Sequence, residues 1–373
     1  MKISIFSAFY PFRGGIAQFN ARLYRELEKS NEVKAFTFKK QYPNFLFPGT
    51  TQFVDSTDTS DKIPADRIVS TFNPITYFSA ARKINSSKPD FFIANFWMSF
   101  FGIFLALFSK RLPKSTKKIA IIHNLIPHEP RFFDKWLIQY FLKQYDAFVV
   151  MSDAVRSDLL NFKPDAKCIQ MNHPWYDHFG EKIDPSVART ELQLDETKKT
   201  LLFFGLIRDY KGLDLLLDAF NQLDNSYQLL IVGEVYSKRE MYQQKITSSK
   251  NKNRIHFINK YVPDSEVNIY FSAADLCVLP YRTATQSGIT ATSFHFDVPI
   301  LATNVGGFKT QIEAPGMGIV VDCPDSFLIQ KGIEKYFNEN LKSQFVKAIH
   351  VEKSGNTWEM YSEKLISFCQ ELS

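Results

Sequence analysis

Short apolar runs, each about a strand long, recur along this chain and alternate with longer stretches of helical periodicity. In the first half KISIFSA, EVKAFTFKK, PDFFIANF, KKIAIIH, DAFVVMS and KCIQMNH read as strands. In the second half KTLLFFG, SYQLLIVGE, NRIHFIN, DLCVLPY, VPILAT and GIVVD repeat the pattern. Between the first two strands, Ile16, Phe19, Leu23 and Leu27 recur at helical spacing. At the other end, Trp358, Tyr361, Leu365 and Phe368 share one face of an amphipathic helix. Strands that alternate with helices predict parallel sheets, and 373 residues exceed what one core usually serves. The pattern therefore predicts an α/β protein with two doubly wound domains and a linker near His173 to Gly180. Between Tyr42 and Thr71 the chain is polar and turn-rich, and no element is assigned there.

One stretch breaks the rhythm. From Phe91 to Phe108 the chain is nearly free of charge and about as long as the shortest membrane span. Pro89 and Asp90 set up a strand and Asn95 interrupts the run, so a buried strand followed by the helix WMSFFGIFLALFSK is preferred. On that helix Phe100, Phe101, Phe104, Leu105 and Phe108 lie close to one face. The basic tail KRLPKSTKK follows, and EPRFFDKWLIQYFLKQ then interleaves aromatic and cationic residues. Two readings stay open: a helix resting on an anionic bilayer surface, or a core helix followed by a solvated loop.

Composition narrows the class of protein. Hydrophobic residues at 45% and charged residues at 23% describe an ordinary globular chain, unusual only in its 36 phenylalanines. A net charge of +6 forms no nucleic-acid arm. It suits an anionic substrate or an anionic membrane, and is equally compatible with neither. Cys168, Cys277, Cys323 and Cys369 lie far apart, with no CxxC pair, so neither zinc nor disulfides are expected and a reducing cytoplasm is the natural compartment. The opening MKISIFSAFYPF is too short and polar for a signal peptide and reads as a first strand.

Candidate chemistry gathers where strands run into glycine loops. LPYRTATQSGITATSFHFDVPILATNVGG, from Leu279 to Gly307, reads as a strand end, loop, helix and second strand. Ser287 and Gly288 stand where the helix would begin, with N–H groups able to face an anion. Arg208 and Lys211 sit between a strand and a helix, spaced so that both side chains reach one anion. Pro11, Gly14 and Gly15 make a similar loop after the first strand, without a GxGxxG fingerprint. His123 and Glu234 stand at strand ends. Each has a plainer alternative: a turn that needs glycine, a surface pair of cations, a structural histidine, or a carboxylate at a helix start.

FFGLIRDYKGLDLLLDAF, LLIVGE, VPDSEVNIYFSAADLCVLPY and VPILATNVGG, in that order, resemble the family 4 retaining glycosyltransferases of the GT-B fold. YPFRGGIAQF, the strand ending at His123 and VVMSDAVRSDL extend the resemblance more weakly into the first half. It implies two Rossmann-like domains facing across a cleft. Residues 1–174 would form the acceptor side and 175–355 the nucleotide-sugar side, with helix 356–373 crossing back. It also implies metal-independent transfer in which the nucleotide sugar is a substrate, with no cofactor.

By the same resemblance, Gly205, Arg208 and Lys211 would grip the donor diphosphate, joined by the N–H groups of Ser287, Gly288 and Ile289. His123 would touch the donor sugar, and Gly14 and Gly15 would lie beside the diphosphate and acceptor. Glu234 would face the cleft, and the nucleobase would rest near Ile258 and Asn259. The pattern departs from the family in two places. Leu206 stands where the usual arginine would, and the family's two glutamates fall on Ala284 and Thr292, leaving Gln286, Ser287 and Thr292 as neutral substitutes. The acceptor implied is a saccharide, lipid-linked or free, as in surface polysaccharide assembly. Departure and attack on the same face would leave the phosphate to take the proton. The alternatives are a non-catalytic nucleotide-sugar-binding subunit and a GT-B epimerase or phosphorylase.

Overall fold

The computed structural model describes residues 1–42, 51–54, 61–127, 131–175, 179–236, 238–284 and 287–372. The chain forms two compact units. The first holds most of residues 1–174 together with Thr357–Ser373, and the second holds Trp175–Asn356.

The first unit runs β1 (Lys2–Phe6), α1 (Gly15–Glu28), β2 (Glu32–Lys40), β3 (Ala65–Ser70), α2 (Ile75–Ser86) and β4 (Phe91–Phe96). It continues with α3 (Gly102–Ser109), β5 (Lys117–Ile122), α4 (Asp134–Leu142), β6 (Ala147–Val150), α5 (Asp153–Phe162) and β7 (Cys168–Gln170). Its seven strands are all parallel, in the order β3-β2-β1-β4-β5-β6-β7. The order reverses between β1 and β4, and right-handed crossovers then put α1 on one face and α2 to α5 on the other. The side chains agree: α2 to α5 fill one core and α1 fills another.

The abundance of phenylalanine has its explanation in the first of these cores. Phe6 meets Phe38 at 5.0 Å and Phe108 at 5.2 Å, both edge to face, and Phe38 meets Phe104 at 5.8 Å. Such pairs add about 0.5–1.5 kcal/mol each beyond their area of burial. This corrects the bilayer reading of α3. Of the face expected in the headgroups, Phe101, Phe104, Leu105 and Phe108 are fully buried and Phe100 is half-buried against the same core. No described helix is long and apolar enough to cross a membrane.

The second unit begins with α6 (Pro185–Glu191), β8 (Lys199–Phe204), α7 (Leu213–Phe220), β9 (Tyr227–Val232), α8 (Arg239–Ser248) and β10 (Ile255–Ile258). Next come α9 (Val267–Ala273), β11 (Leu276–Leu279), α10 (Gly288–His295), β12 (Ile300–Thr303), β13 (Gly318–Val321), α11 (Ser326–Asn338) and α12 (Lys342–Gly355). Its six parallel strands lie in the order β10-β9-β8-β11-β12-β13, with the reversal between β8 and β11. Every residue of β9, β11 and β12 is buried, as expected of strands covered on both faces.

The last helix, α13 (Trp358–Glu371), is capped by Thr357, whose hydroxyl accepts from the Met360 N–H. Its inner face packs into the α1 core of the first unit: Trp358 and Tyr361 lie 5.3 Å and 5.8 Å from Phe19, and Leu365 is wholly buried. Leu365→Ala should cost about 2–5 kcal/mol in a urea titration. A loss below about 1 kcal/mol would mean that the site collapses around the vacancy or that the helix contributes little to that core.

Candidate functional site

In an open parallel sheet, ligands bind outside the carboxyl ends of the strands at the point where strand order reverses. In the second unit that point lies between β8 and β11. β8 runs into Gly205, and a Cβ there would lie 3.3 Å from the Lys211 Nζ and 3.2 Å from Ile289 Cδ1. Three residues named from the sequence therefore meet at one spot. The loop between them is held by Gly212, whose left-handed φ of 65° and close approach to the Pro280 carbonyl leave no room for a side chain.

Lys211 is the electrostatic centre of this spot. It is 8% exposed, and among the described residues no carboxylate lies within ion-pair distance of its ammonium. Its Nζ stands 5.5 Å from the ring of Tyr281. Burial, and then the charge of Arg208, bring its pKa down to about 8. The Arg208 guanidinium lies 5.0 Å over the ring of Tyr236.

The β11 side supplies the opposite wall. Ser287 caps α10 and its hydroxyl accepts from the Ile289 N–H at 3.3 Å, so that N–H is already engaged within the cap. The Tyr281 hydroxyl lies 3.3 Å from the same Ser287 oxygen, which links the cap to the Lys211 wall. Thr292 is buried and its hydroxyl donates to the Gly288 carbonyl at 3.2 Å; Ala284 packs against the core. Gln286 lies outside the described residues.

Glu234, Ile258 and Asn259 line the same edge at the ends of β9 and β10. The Glu234 carbonyl accepts from the Ile207 N–H at 2.9 Å, and the Ile258 carbonyl accepts from the Gly233 N–H at 3.0 Å. Asn259 Oδ1 accepts from the Val235 N–H at 3.1 Å. These groups thus hold neighbouring loops in place.

Two participants on this edge escaped the sequence reading. Arg282 takes both oxygens of Asp214, at 2.8 and 2.5 Å, and donates to the Asp209 carbonyl at 2.8 Å. It thereby fastens the Lys211 loop to the strand end after β11. Tyr281 closes the site between Lys211 and Ser287. Only its place as the last residue of DLCVLPY could have signalled that role.

The first unit presents His123, Gly14 and Gly15. Gly14 takes a φ of 104° with open space beside it, so it serves the backbone path into α1, which Gly15 opens. His123 follows β5 and is 5% exposed. Its tautomer follows from a chain of hydrogen bonds anchored on a carbonyl. The Ile16 carbonyl accepts from Asn20 Nδ2 at 2.5 Å, so Asn20 Oδ1 is left to accept from Asn95 Nδ2 at 2.7 Å. Asn95 Oδ1 must then accept from His123 Nε2–H at 2.6 Å, and Nδ1 is the acceptor of the ring. Asn20 Nδ2 also donates to the Ser7 hydroxyl at 2.8 Å. Burial, and then the nearby His173, lower the His123 pKa to about 3.

Comparison with known proteins covers both halves of the chain. Residues 13–178 match the Glycosyltransferase Family 4 model, and residues 186–350 match Glycosyl transferases group 1. A GDP-mannose:glycolipid 4-beta-D-mannosyltransferase of Xanthomonas campestris pv. campestris is 29% identical over 188 residues, covering 50% of each chain. A D-inositol 3-phosphate glycosyltransferase of Rhodococcus jostii is 26% identical over 37% of this chain and 32% of its own. The chain thus spans half the length or less of these curated relatives. Among solved structures, Thermosynechococcus elongatus sucrose-phosphate synthase superposes with a TM-score of 0.76 at 15% identity, covering 100% of this chain and 98% of its own. Anabaena HepE in complex with UDP gives 0.77 at 13% identity, covering 99% of each. At such identities the structures establish the shared two-sheet fold.

The histidine carries a pH signature. Unfolding returns the imidazole to about 6.5, so the unfolded chain binds more protons between that value and about 3. Stability is therefore full above pH 6.5 and falls as acid is added, by about 1.4 kcal/mol per pH unit for this group. His123→Gln keeps a donor toward Asn95 and removes the titration. Its urea midpoint should fall less steeply than the wild type's between neutral and mildly acidic pH. Parallel slopes would mean that the folded protein protonates this ring as readily as the unfolded chain.

Proposed function

The chain belongs to the family 4 glycosyltransferases of the GT-B fold, and we propose that it moves a sugar from a nucleotide-sugar donor to a saccharide or lipid-linked saccharide acceptor with retention of configuration. The observation that carries this reading is Lys211, a buried cation with no described carboxylate partner at the strand-order reversal. Burying an unpaired charge costs several kcal/mol, and a diphosphate supplies the missing counter-charge. Arg208 and the N-terminus of α10 add donors on either side. Charge that builds on the leaving phosphate then meets fixed positive groups, which makes a metal unnecessary in this reading.

Transfer breaks the bond between the anomeric carbon and the departing phosphate oxygen and forms one to the acceptor oxygen on the same face. The acceptor's proton passes to the departing phosphate. His123 fits a supporting role, since a ring with its pKa lowered to about 3 is a poor base at neutral pH. Its unprotonated Nδ1 suits a hydroxyl of the donor sugar, and Asn95 holds the ring in that tautomer. The glycolipid named for the Xanthomonas relative favours a lipid-linked acceptor and a role in surface polysaccharide assembly. The reading places the reaction in the cytoplasm, without a cofactor.

Calorimetry tests the diphosphate site. Lys211→Ala should weaken binding of a nucleoside diphosphate by about 1.5–3 kcal/mol and leave the nucleoside alone unaffected. Equal losses for both would remove Lys211 from the diphosphate. A donor that binds but never releases nucleotide in the presence of varied acceptors would mark the chain as a binding subunit.

A pH series supplies an independent check. The Lys211 ammonium must be protonated to hold an anion, so wild-type affinity should decline as pH rises above about 8. Lys211→Arg should flatten that decline, because arginine stays charged. A wild-type affinity unchanged well above that pH would exclude Lys211 as the charge that matters.

A further inference from the structure

The helices α2, α3 and α4 lie side by side on one face of the first sheet, with α3 in the middle. Gly102 of α3 sits so close to α4 that a Cβ would lie 2.9 Å from the Leu137 carbonyl. Their inner sides fill the phenylalanine core, and their outer sides form one surface of the unit. That surface is unusually apolar for one exposed to water. On α2, Ile75 is 76% exposed and Phe78 51%; just ahead of α4 Phe132 is 96% exposed, and on α4 Trp136 is 59%. Ile103 and Leu107, the outward positions of α3, are half-buried between them. Scattered exposed hydrophobics need no explanation, but four on or beside the two helices that flank α3 do.

Cations are interspersed with these side chains. The Arg111 guanidinium lies 4.0 Å over the Phe78 ring, and Tyr140 stacks on Trp136 at 5.7 Å. Arg82, Arg131, Lys135 and Lys143 are exposed on the same helices or their ends, and among the described residues none has an ion-pair partner. The segment that holds these helices is also the basic part of the chain. Residues 72–146 carry eleven lysines and arginines against four aspartates and glutamates, a net +7 where the entire chain has +6. Three of those four acids are occupied by backbone N–H groups. Asp90 accepts from Lys2, Asp146 from Lys118, and the buried Asp134 from Arg131.

We propose that the outer face of the α2–α3–α4 layer docks on an anionic lipid bilayer. Trp136 and Tyr140 have the amphipathic rings that settle at the headgroup level, and Phe132 and Ile75 can enter the acyl boundary. The surrounding cations meet acidic headgroups, a complementarity that a neutral partner would not use. The surface differs from the one the sequence suggested. The phenylalanines of α3 point into the core, and the bilayer is met by the helices on either side of it. This inference does not depend on the identity of the sugar donor.

Co-sedimentation with vesicles of phosphatidylcholine, alone or mixed with phosphatidylglycerol, tests it on the full chain. Binding should require phosphatidylglycerol and weaken as salt is raised. Arg131→Glu with Lys135→Glu should lower partitioning roughly fivefold or more for each cation lost. Phe132→Ser with Trp136→Ser should lower it by roughly tenfold or more. Ile75→Ser with Phe78→Ser, on a different helix, should have the same sign, and a thermal midpoint near the wild type's should accompany each variant. Wild-type protein that ignores anionic vesicles at low salt overturns the proposal. So does binding that survives loss of both apolar pairs. Self-association abolished by Phe132→Ser with Trp136→Ser, without vesicle binding, would assign the face to a second copy of the chain instead.

Discussion

Two backbone approaches too tight for any side chain shape the edge of the second sheet. A Cβ on Gly233 would stand 2.0 Å from the Gly205 carbonyl, and one on Gly212 would stand 2.0 Å from the Pro280 carbonyl. The loop after β8 is therefore pressed against the end of β9 on one side and the end of β11 on the other. Between these contacts it has nowhere to carry Lys211 but inward, beside Tyr281. Arg282 secures the outside of the same loop through Asp214 and the Asp209 carbonyl. The buried ammonium is a consequence of packing, and its unmet need for an anion follows from that placement.

The two units use buried polarity in opposite ways. In the first, Asn20, Asn95 and His123 satisfy one another in a neutral chain that ends on the Ile16 carbonyl and the Ser7 hydroxyl. Such a network orients a ring without storing charge, and it stays intact across the pH range where the imidazole is neutral. In the second unit a charge is retained at the cost of a depressed pKa. A neutral, oriented acceptor suits a hydroxyl, and a poorly solvated cation suits a phosphate.

Much of the fold was legible because strands covered on both faces leave continuous apolar runs, such as YQLLIV in β9 and FFIANF in β4. β3 was not, since only Ile68 and Val69 of ADRIVS are buried, and two residues make no pattern. The periodicity of α3 exposed its phenylalanine face correctly. Periodicity cannot say whether such a face meets a sheet or a bilayer. Local signals singled out Gly205, Lys211 and the Ser287 cap, whose positions depend on their own loops. Asn95, Asn20, Tyr281 and Arg282 were missed because each acts through a partner brought near by strand order, as Asn95 meets His123 only because β4 lies beside β5.

Ala284 and Thr292, the two positions where the resemblance would place glutamates, carry no charge. A carboxylate near Lys211 would raise its pKa and compete with an incoming diphosphate for the ammonium. Ala284 offers no polar atom, and the Thr292 hydroxyl donates to the Gly288 carbonyl inside its helix. Neither position therefore brings negative charge to this edge, and burial together with Arg208 is left to set the Lys211 pKa near 8. Under the proposed reading, such a site grips the diphosphate through Lys211 and Arg208 and distinguishes sugars less by contacts from these two positions than by shape and neutral hydrogen bonds. Tyr281, which touches both the cation and the Ser287 cap, is the side chain best placed to impose that shape.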